Sequence, residues 1–531
     1  MKLLKVFIAL ILTTLFLAAC SNSSAESPNN TTTVTTQDNA TETESDTPTD
    51  TETTEEAPQE GGTVRIAMST EVDNLDPYLS AATDTSSILW NIFDGLLDTN
   101  PAGELVPAIA KSYNISDDGL TYTFTLHEGI KFHDGSDLTA EDVVYSYSKL
   151  AGLTGEESMN SQFEVIESIE AASDTEVVIK IKEKNSAFLA ANITAIVPSD
   201  YNEHSSHPIG AGPFAFEKYV VGQELRLSKN ANYYNEEKIP HVDEVVFKVM
   251  PDAESSILAM QAGDIDVLPG ISEQGLQQLG DSIHTVSGPQ NMVQIMALNH
   301  LEEPLADERV RKAINLAINK DIIIDTVSNG NGTKLGSNFS PAMEFYYEPG
   351  LEKVYDTDIE AAKALLAEAG LENGFPLEFS VPSDYQFHVD TAQVIAQQLK
   401  QIGIDVEIKL IDFSTWLEQV YTNEQFQSTI IGFTGKLDPY EILRRFVSDY
   451  DKNFVNYNNP EYDAIISEAL AATDKNEIAD LYKQAQRMLT EDAISVFVMD
   501  PDRTIAMRGN LTGLEMFPIQ KYNLEDLQFT K

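Results

Sequence analysis

One stretch, residues 127–148, constrains the fold of this chain more than any other part of the sequence. It follows residues 122–126, whose alternating pattern of β-forming side chains predicts a strand. His-Asp-Gly at 133–135 is typical of a tight turn, because glycine readily adopts a positive φ. Thr139 is placed to cap a helix with an acidic first turn, where the helix dipole favours anions. The stretch therefore predicts a strand end, a turn and a helix in close succession.

Segments with strand-like and helix-like patterns alternate through the rest of the chain. Strands are predicted over 61–68, 176–181, 291–298, 377–381, 406–410, 429–432 and 493–499. Helices are predicted over 254–262, 307–319, 358–369, 391–402, 464–471 and 476–489. Such alternation favours an α/β fold with helices covering the sheets. At 531 residues the chain exceeds the size of a single core, so two or three domains are expected.

Several motifs together resemble one protein family. Phe-His-Asp-Gly at 132–135 is followed, after three residues, by Thr-Ala-Glu-Asp-Val-Val-Tyr-Ser at 139–146. Trp-Asn-Ile-Phe-Asp-Gly at 90–95, Gly-Ala-Gly-Pro-Phe at 210–214 and Gly-Asp-Ile-Asp at 263–266 match further family blocks. The set is similar to the signature of the large solute-binding proteins that serve peptide and nickel ABC importers. The chain is identified as a member of this oligopeptide/dipeptide-binding type.

The resemblance covers residues 61 to about 499 and implies a particular fold. That fold is α/β and two-lobed, like that of periplasmic binding proteins of the cluster with an enlarged first lobe, with mixed sheets and covering helices. The first lobe would comprise residues 61–288, with an extra subdomain at about 94–205. The second lobe would comprise residues 289–500, and residues 501–531 would return to the first.

The amino terminus predicts export and lipidation. A short basic start precedes an apolar run over residues 3–19, which is typical of a secretory signal. Leu-Ala-Ala-Cys at 17–20 resembles a lipobox, in which Cys20 is acylated and becomes the first mature residue. The alternative is an ordinary signal peptide, or a membrane anchor, with a chance cysteine. We predict that residues 1–20 are a lipoprotein signal peptide, and because Cys20 is the only cysteine, no disulfide is possible.

Residues 21–60 are predicted to be a disordered acidic tether. They are rich in Ser, Thr, Asn and Glu, and they carry ten acidic and no basic residues. A segment with so few apolar side chains cannot offset the entropy lost on ordering. The whole chain has a formal charge of −51, which would repel a phosphate backbone and excludes nucleic acid as a natural partner.

Motifs that would indicate catalysis or metal binding are missing from the sequence. The eight histidines form no His-x-x-x-His or His-Glu-x-x-His pair, so neither a metal site nor a cofactor is predicted. No Gly-x-Ser-x-Gly elbow of a serine hydrolase is present. Carboxylates are so abundant that they single out no acid/base pair. The sequence therefore favours a binding protein over an enzyme.

Candidate ligand contacts follow from the resemblance, because the family binds its ligands in a cleft between the lobes. They lie in the first loop, at the crossing between lobes, in the loop after residue 381 and towards the carboxyl end of the second lobe. The predicted contacts are Asn74, Tyr78, Gln290, Asn291, Met292, Tyr385, His388, Trp416, Phe433, Lys436 and Asp438. Aromatic walls with a few well-placed polar groups are typical of small-molecule sites.

Residues 433–439, Phe-Thr-Gly-Lys-Leu-Asp-Pro, depart from the family pattern. In the corresponding family stretch an aspartate commonly pairs with the α-amino group of the ligand, but here its place is closest to Lys436. One hypothesis is that Asp438 takes the amino group instead. A second is that Lys436 faces an anionic group, so that the ligand is not a simple peptide. A third is that Lys436 points to solvent.

The resemblance implies a protein that is lipid-anchored on the extracytoplasmic face of the cell membrane, as on a Gram-positive-like cell surface. It would capture small peptides as a monomer and deliver them to ABC permease subunits. One alternative is a binder of a non-peptide solute, such as an oligosaccharide or a metal chelate. The other is a hydrolase tethered to the cell surface.

Overall fold

The computed structural model describes residues 58–80, 82–280 and 282–531. The predicted signal peptide, with Cys20, and the predicted tether up to residue 57 lie outside the described residues. The predicted end of the tether at residue 60 is too late. Pro58–Gln59 already forms a strand, because it pairs antiparallel with Phe529 and Thr530 near the carboxyl terminus.

The strands and helices are numbered in chain order. The strands are β1 Pro58–Gln59, β2 Thr63–Met68, β3 Leu97–Thr99, β4 Leu105–Pro107, β5 Ala110–Ile115, β6 Thr121–Leu126, β7 Ile166–Ser173, β8 Glu176–Ile181, β9 Phe214–Val220, β10 Glu224–Lys229, β11 Glu244–Val249, β12 Val267–Pro269, β13 Ile283–Pro289, β14 Met292–Leu298, β15 Gly332–Lys334, β16 Pro376–Pro382, β17 Asp405–Ile411, β18 Ser428–Thr434, β19 Ser495–Arg508, β20 Leu511–Thr512 and β21 Gln528–Thr530. The helices are α1 Thr83–Leu89, α2 Ala140–Leu150, α3 Phe188–Ala191, α4 Ala253–Ala262, α5 Glu273–Leu276, α6 Glu308–Ala317, α7 Lys320–Val327, α8 Ile359–Glu368, α9 Gln386–Leu399, α10 Phe413–Thr415, α11 Pro439–Leu443, α12 Pro460–Ala471 and α13 Lys475–Glu491. Among the described residues, no helix combines the length and apolar character needed to cross a bilayer.

A large sheet of twelve strands runs through the protein, and β19 connects its two halves. The order across the sheet is β17-β16-β18-β14-β19-β12-β2-β11-β10-β9, and β13 and β15 also pair with β19. The first part of β19 pairs with β14 up to Met499, and the part from Asp502 onward pairs with β13. A second crossing lies beside it, where Gln290 and Asn291 link β13 to β14. Two strand crossings therefore join the halves of the sheet.

The predicted strand over 493–499 is too short. The strand runs from Ser495 to Arg508, because the chain continues in extended form after it exchanges one set of partners for another. The predicted return of the chain at residue 501 lies close to this exchange. The lobe boundaries themselves stay a prediction.

A separate antiparallel sheet, β5-β6-β8-β7, carries the signature stretch. The predicted strand over 122–126 is β6, which begins one residue earlier, at Thr121, and α2 begins at Ala140, directly after the predicted cap. Thr139 and Asp142 form a capping box, in which the Thr139 backbone N–H donates to Asp142 Oδ2 at 2.9 Å. Gly135 in the predicted turn has a φ of +90°. The sheet and α2 enclose their own apolar core, so this region packs as a unit of its own.

His133 of the signature has a structural role. Its Nε2 lies 3.0 Å from the Gly212 carbonyl oxygen, and the Gly210 N–H lies 3.3 Å from its Nδ1. Burial lowers the pKa of His133, which favours the neutral ring that this pair of bonds requires. A Cβ at Gly210 would lie only 2.1 Å from the Ile92 carbonyl oxygen. The glycine-rich turn therefore needs glycine for close backbone packing.

The helix predicted over 391–402 begins five residues earlier, at Gln386, and ends as a 3-10 turn over Lys400–Ile402. Its buried face already includes Val389, because the first turn packs on the same apolar core as the later turns. The consequence for the predicted site is that His388 lies within the helix, whereas Tyr385 stands at its start.

Candidate functional site

A cavity of about 510 Å³, here called the cleft, lies beside the two strand crossings. It is lined on one side by residues of α1 and of the segment 190–194, and on the other by residues 434–438. Residues 516–520, Gln290 and Arg503 complete its walls. A second space of about 280 Å³ adjoins it and shares Ala190, Leu437 and Asp438 with the cleft. The volume of the cleft is in the range of sites for small organic ligands, and the adjoining space enlarges it.

Asp438 lies where these two spaces meet. It is the N-cap of α11, where its Oδ1 accepts the Tyr440 backbone N–H at 3.0 Å. Its side chain is almost fully buried, with 4% exposure, and Oδ2 has no hydrogen-bond partner among the described residues. Burial raises the pKa of Asp438 to about 7. A buried carboxylate without a partner is unfavourable, so the site favours a ligand that brings a cation.

Asn291, another predicted contact, does not line the cleft itself but lies next to it, with a left-handed φ of +57°. Its Nδ2 donates to the Pro518 carbonyl oxygen at 2.9 Å, and its own carbonyl accepts the Gly435 N–H. A Cβ at Gly435 would lie 2.1 Å from Asn291 Oδ1, so glycine is needed at this position. Asn291 thus ties one strand crossing to two walls of the cleft.

The two strand crossings are also joined to each other. Asp500 of β19 is fully buried and accepts the Gln290 backbone N–H at 3.2 Å as well as the Ser340 hydroxyl. Gln290 in turn donates its Nε2 to the Pro501 carbonyl oxygen at 3.0 Å. Gln290 lines the cleft, and these bonds leave its position well defined.

Of the predicted contacts, Gln290, Lys436 and Asp438 line the cleft. Lys436 is exposed, and its ammonium group has no ion-pair partner in the described part of the chain. Phe433 is half-buried in β18 beneath the Arg445 guanidinium, 4.5 Å from the ring centre. Ligand contact by these residues stays a prediction.

The remaining predicted contacts lie away from the walls of the cleft. In the first loop, Asn74 Oδ1 accepts the Asp76 N–H, and the Tyr78 hydroxyl donates to the Ala195 carbonyl oxygen at 2.8 Å. Met292 begins β14 with its thioether near Gly432. These side chains are engaged in packing and local hydrogen bonds.

The aromatic candidates of the second half are similarly engaged. His388 Nδ1 lies 2.9 Å from Gln294 Nε2, and burial lowers the pKa of His388 to about 4. Trp416 is 2% exposed and donates its indole N–H to Thr429 Oγ1 at 2.8 Å. Tyr385 is 42% exposed and contacts Phe413 edge to face. In this conformation Trp416 is a core residue, so direct ligand contact would require the core to open.

Sequence reasoning missed Trp90, Arg503 and the segment 516–520 as parts of the cleft wall. Trp90 was named only as part of a family motif, and the last segment follows the final long strand without a motif of its own. The sequence offers one signal for Arg503 as a cleft residue. It is a basic residue two positions after the Asp-Pro pair at 500–501, where the chain changes sheet partners. No group of three or more potential metal ligands occurs within the described ranges.

Replacing Asp438 by asparagine is expected to stabilise the unliganded protein at pH 8. The raised pKa means that the folded carboxyl keeps its proton up to about pH 7, whereas the unfolded one loses it near pH 4. The stabilising effect of that proton is fully present below pH 4 and is lost as the pH rises through 7. At pH 8 the variant should gain at most about 4 kcal/mol, because Asn caps α11 without carrying a charge.

Urea unfolding of both proteins at pH 5.5 and pH 8 measures this effect. The advantage of the variant should shrink at pH 5.5, where the wild-type carboxyl is protonated. An advantage that is absent at pH 8, or larger at pH 5.5, would contradict the picture of a buried and unpaired Asp438.

Residues 104–454 match the family described as bacterial extracellular solute-binding proteins, family 5 Middle. The oligopeptide-binding protein AppA of Bacillus subtilis strain 168 is 29% identical over 503 residues, which cover 88% of this chain and 92% of that protein. Heme-binding protein A of Haemophilus influenzae is 29% identical over 434 residues, which cover 73% and 78%. The structure of DppA from Helicobacter pylori in complex with the peptide STSA matches with a TM-score of 0.68 and 25% identity, covering 89% of this chain and 99% of that one.

These matches confirm the predicted two-lobed α/β fold of periplasmic binding proteins. They also decide between a binder and an enzyme, because the family and its relatives are solute-binding proteins, which removes the hydrolase alternative. The family match covers more than half of the chain, so the chain belongs to family 5 of the bacterial extracellular solute-binding proteins.

Proposed function

We propose that this protein captures short peptides outside the cytoplasmic membrane and delivers them to the permease of an ABC importer. The observation that carries the proposal is Asp438, a buried carboxyl group whose Oδ2 has no hydrogen-bond partner among the described residues and which lies where two cavities meet. The relatives named for oligopeptide and dipeptide binding support a peptide as the ligand.

The α-amino group of a peptide would supply the partner that Asp438 lacks. An ammonium ion beside a buried carboxylate forms a charge-assisted hydrogen bond, which is stronger than a neutral one. The Oδ1 atom is already used to cap α11, so Oδ2 is the atom available to the ligand. Fixing the carboxylate on a helix cap also orients it before the ligand arrives, which reduces the entropy lost on binding.

Lys436 fits this proposal without replacing Asp438. The cleft presents one buried acidic group together with the exposed ammonium of Lys436. A ligand with charges of both signs, such as a peptide with free termini, matches this arrangement better than a purely anionic solute. We therefore favour the hypothesis in which Asp438 takes the amino group.

Membrane attachment and ligand transfer complete the proposed function. The apolar run ending in Leu-Ala-Ala-Cys supports acylation of Cys20, and the acidic stretch 21–57 would link the anchor to the folded body. A ligand that contacts both lobes would favour a closed state, which the permease would then recognise. The intact mass of the mature protein tests the anchor, because an unmodified Cys20 would rule it out.

A thermal-shift screen tests the choice of ligand class. Mixtures of di- to pentapeptides should raise the unfolding temperature, and at a concentration 100 times Kd the stabilisation is about 2.7 kcal/mol. Oligosaccharides, haem and nickel chelates serve as the comparison set. A shift with one of these and none with any peptide would replace the peptide by a non-peptide solute.

A further inference from the structure

Another cavity, of about 400 Å³, lies on the first half of the large sheet. It is distinct from the space that adjoins the cleft at Asp438 and is here called the second cavity. Strand β2 pairs in parallel with both β11 and β12. Residues at or next to the carboxyl ends of these three strands line this cavity, including Met68, Met250 and Pro269. In open α/β sheets, ligands bind in the crevice beyond the carboxyl ends of the strands. The position of this cavity thus favours a ligand subsite.

The cavity meets the cleft at two side chains, Arg503 and Gln520, which line both spaces. Gln520 is held in place because its Nε2 donates to Asp84 Oδ1 at 2.6 Å. Asp84 also accepts the Thr70 hydroxyl at 2.9 Å, so its carboxylate is already engaged in local bonds. Arg503 is therefore the charged group at the junction that is left to act on a ligand.

Among the described residues, Arg503 has no carboxylate partner. No acidic oxygen lies within ion-pairing distance of its guanidinium in the described part of the chain, and its buried Nε has no hydrogen-bond partner. It rests over the Tyr522 ring, 5.8 Å from the ring centre, which fixes the side chain without neutralising it. Such an arrangement stands out in a chain with 85 acidic and only 34 basic residues.

We propose that Arg503 binds a carboxylate of the ligand at the junction of the cleft and the second cavity. A guanidinium presents a planar fork of donors that matches a carboxylate in a bidentate arrangement. Arg503 and Asp438 line the same cleft, so a peptide would place its amino end at Asp438 and a carboxylate at Arg503. This assignment rests on the proposed peptide binding and adds a specificity-determining residue to it.

Three tripeptide mixtures test the assignment by thermal shift and native mass spectrometry. The first has free carboxyl termini and contains no Asp or Glu, the second is the same mixture as C-terminal amides, and the third is amidated but contains Glu. Wild type should bind the first mixture about 10- to 100-fold more tightly than the second. Arg503→Met and Arg503→Gln should bind both with the same weak affinity.

Two control variants isolate the role of Arg503. Arg508→Met removes an arginine of the same strand that pairs with Asp266 away from the cleft, and it should keep the full preference for free carboxyl termini. Lys436→Met removes the other cation that lines the cleft, and a loss of the preference in this variant would assign the carboxylate to Lys436 in place of Arg503. If wild type binds the third mixture, which contains Glu, as tightly as the first, and the Arg503 variants do not, then Arg503 binds a side-chain carboxylate in place of the terminal one.

Two results would overturn the assignment while leaving peptide binding in place. One is equal affinity of wild type for all three mixtures. The other is a preference for free carboxyl termini that survives in both Arg503 variants or disappears in Lys436→Met. If wild type binds none of the mixtures, the proposed function fails and the assignment falls with it.

Discussion

Replacing Asp438 by asparagine is expected to weaken the binding of peptides with a free amino terminus by roughly 100-fold or more. The reason is that the ligand ammonium would lose the buried carboxylate that pairs with it while remaining desolvated. Asparagine has nearly the shape of aspartate and is an equally good N-cap, so α11 should be retained. Calorimetric titration of both proteins with a tripeptide mixture and its N-acetylated form measures the effect.

The acetylated mixture and a second variant provide the controls. Acetylation of the peptides should weaken their binding to wild type. It should change their binding to Asp438→Asn little, because this variant lacks the carboxylate that pairs with the amino group. Asp412→Asn alters another N-cap aspartate, which accepts the Thr415 N–H and lines neither the cleft nor the adjoining space, and should bind like wild type. Equal affinity of wild type and Asp438→Asn for free-amine peptides would rule out the amino-anchor role.

Replacing Arg311 by methionine is expected to lower the free energy of unfolding by about 3–5 kcal/mol. Arg311 lies on α6 with 6% exposure, and its guanidinium donates to four backbone carbonyls. Its Nη1 bonds Leu305 and Ala306 at 3.0 Å each, and Nε and Nη2 bond Ala493 and Asp492 at 3.2 Å each. Methionine would fill most of the volume but leave these carbonyls without their donors.

Arg309 offers a matched control two residues away. Its guanidinium is exposed and pairs with Asp307 and the Glu368 carbonyl oxygen at the surface. Arg309→Met should therefore change the free energy of unfolding by about 1 kcal/mol or less. Urea unfolding separates the two variants, and similar effects for both would show that the buried network around Arg311 is not an important source of stability.

The signature stretch shows how much of the fold could be predicted from the sequence. Its strand, turn and helix start depend on interactions within a few residues, such as the capping box of Thr139 and Asp142. Local patterns of this kind also located most of the longer helices, but strands such as β5, β7, β9 and β13 were not predicted. The length of β19 was missed because only the exchange of partners from β14 to β13, which is a tertiary event, keeps the chain extended.

The cleft was harder to predict because its walls come from parts of the chain that are far apart. Asp438 was proposed from a motif, but its burial depends on residues such as Tyr346 and Tyr482, which line the adjoining space. Arg503 became a candidate only when the structure placed it beside Gln520 and Tyr522 without an acidic partner. Spacing along the sequence carries no information about such contacts.

Trp416 shows the opposite error. An aromatic side chain in a binding-protein sequence is a reasonable candidate for a cleft wall, and the resemblance implied that role. The structure places its ring parallel to those of Phe413 and Tyr421 and satisfies its indole N–H through Thr429. A core position and a cleft position require the same residue type here, so the sequence could not distinguish them.

The most direct test of peptide capture is native mass spectrometry of the full-length protein purified gently from the cells that produce it. The account predicts a bound mass that denaturation releases and tandem spectra identify as short peptides with free amino termini. A bound haem, sugar or metal chelate would contradict it. So would a protein that carries no ligand and takes up no peptide from a saturating mixture.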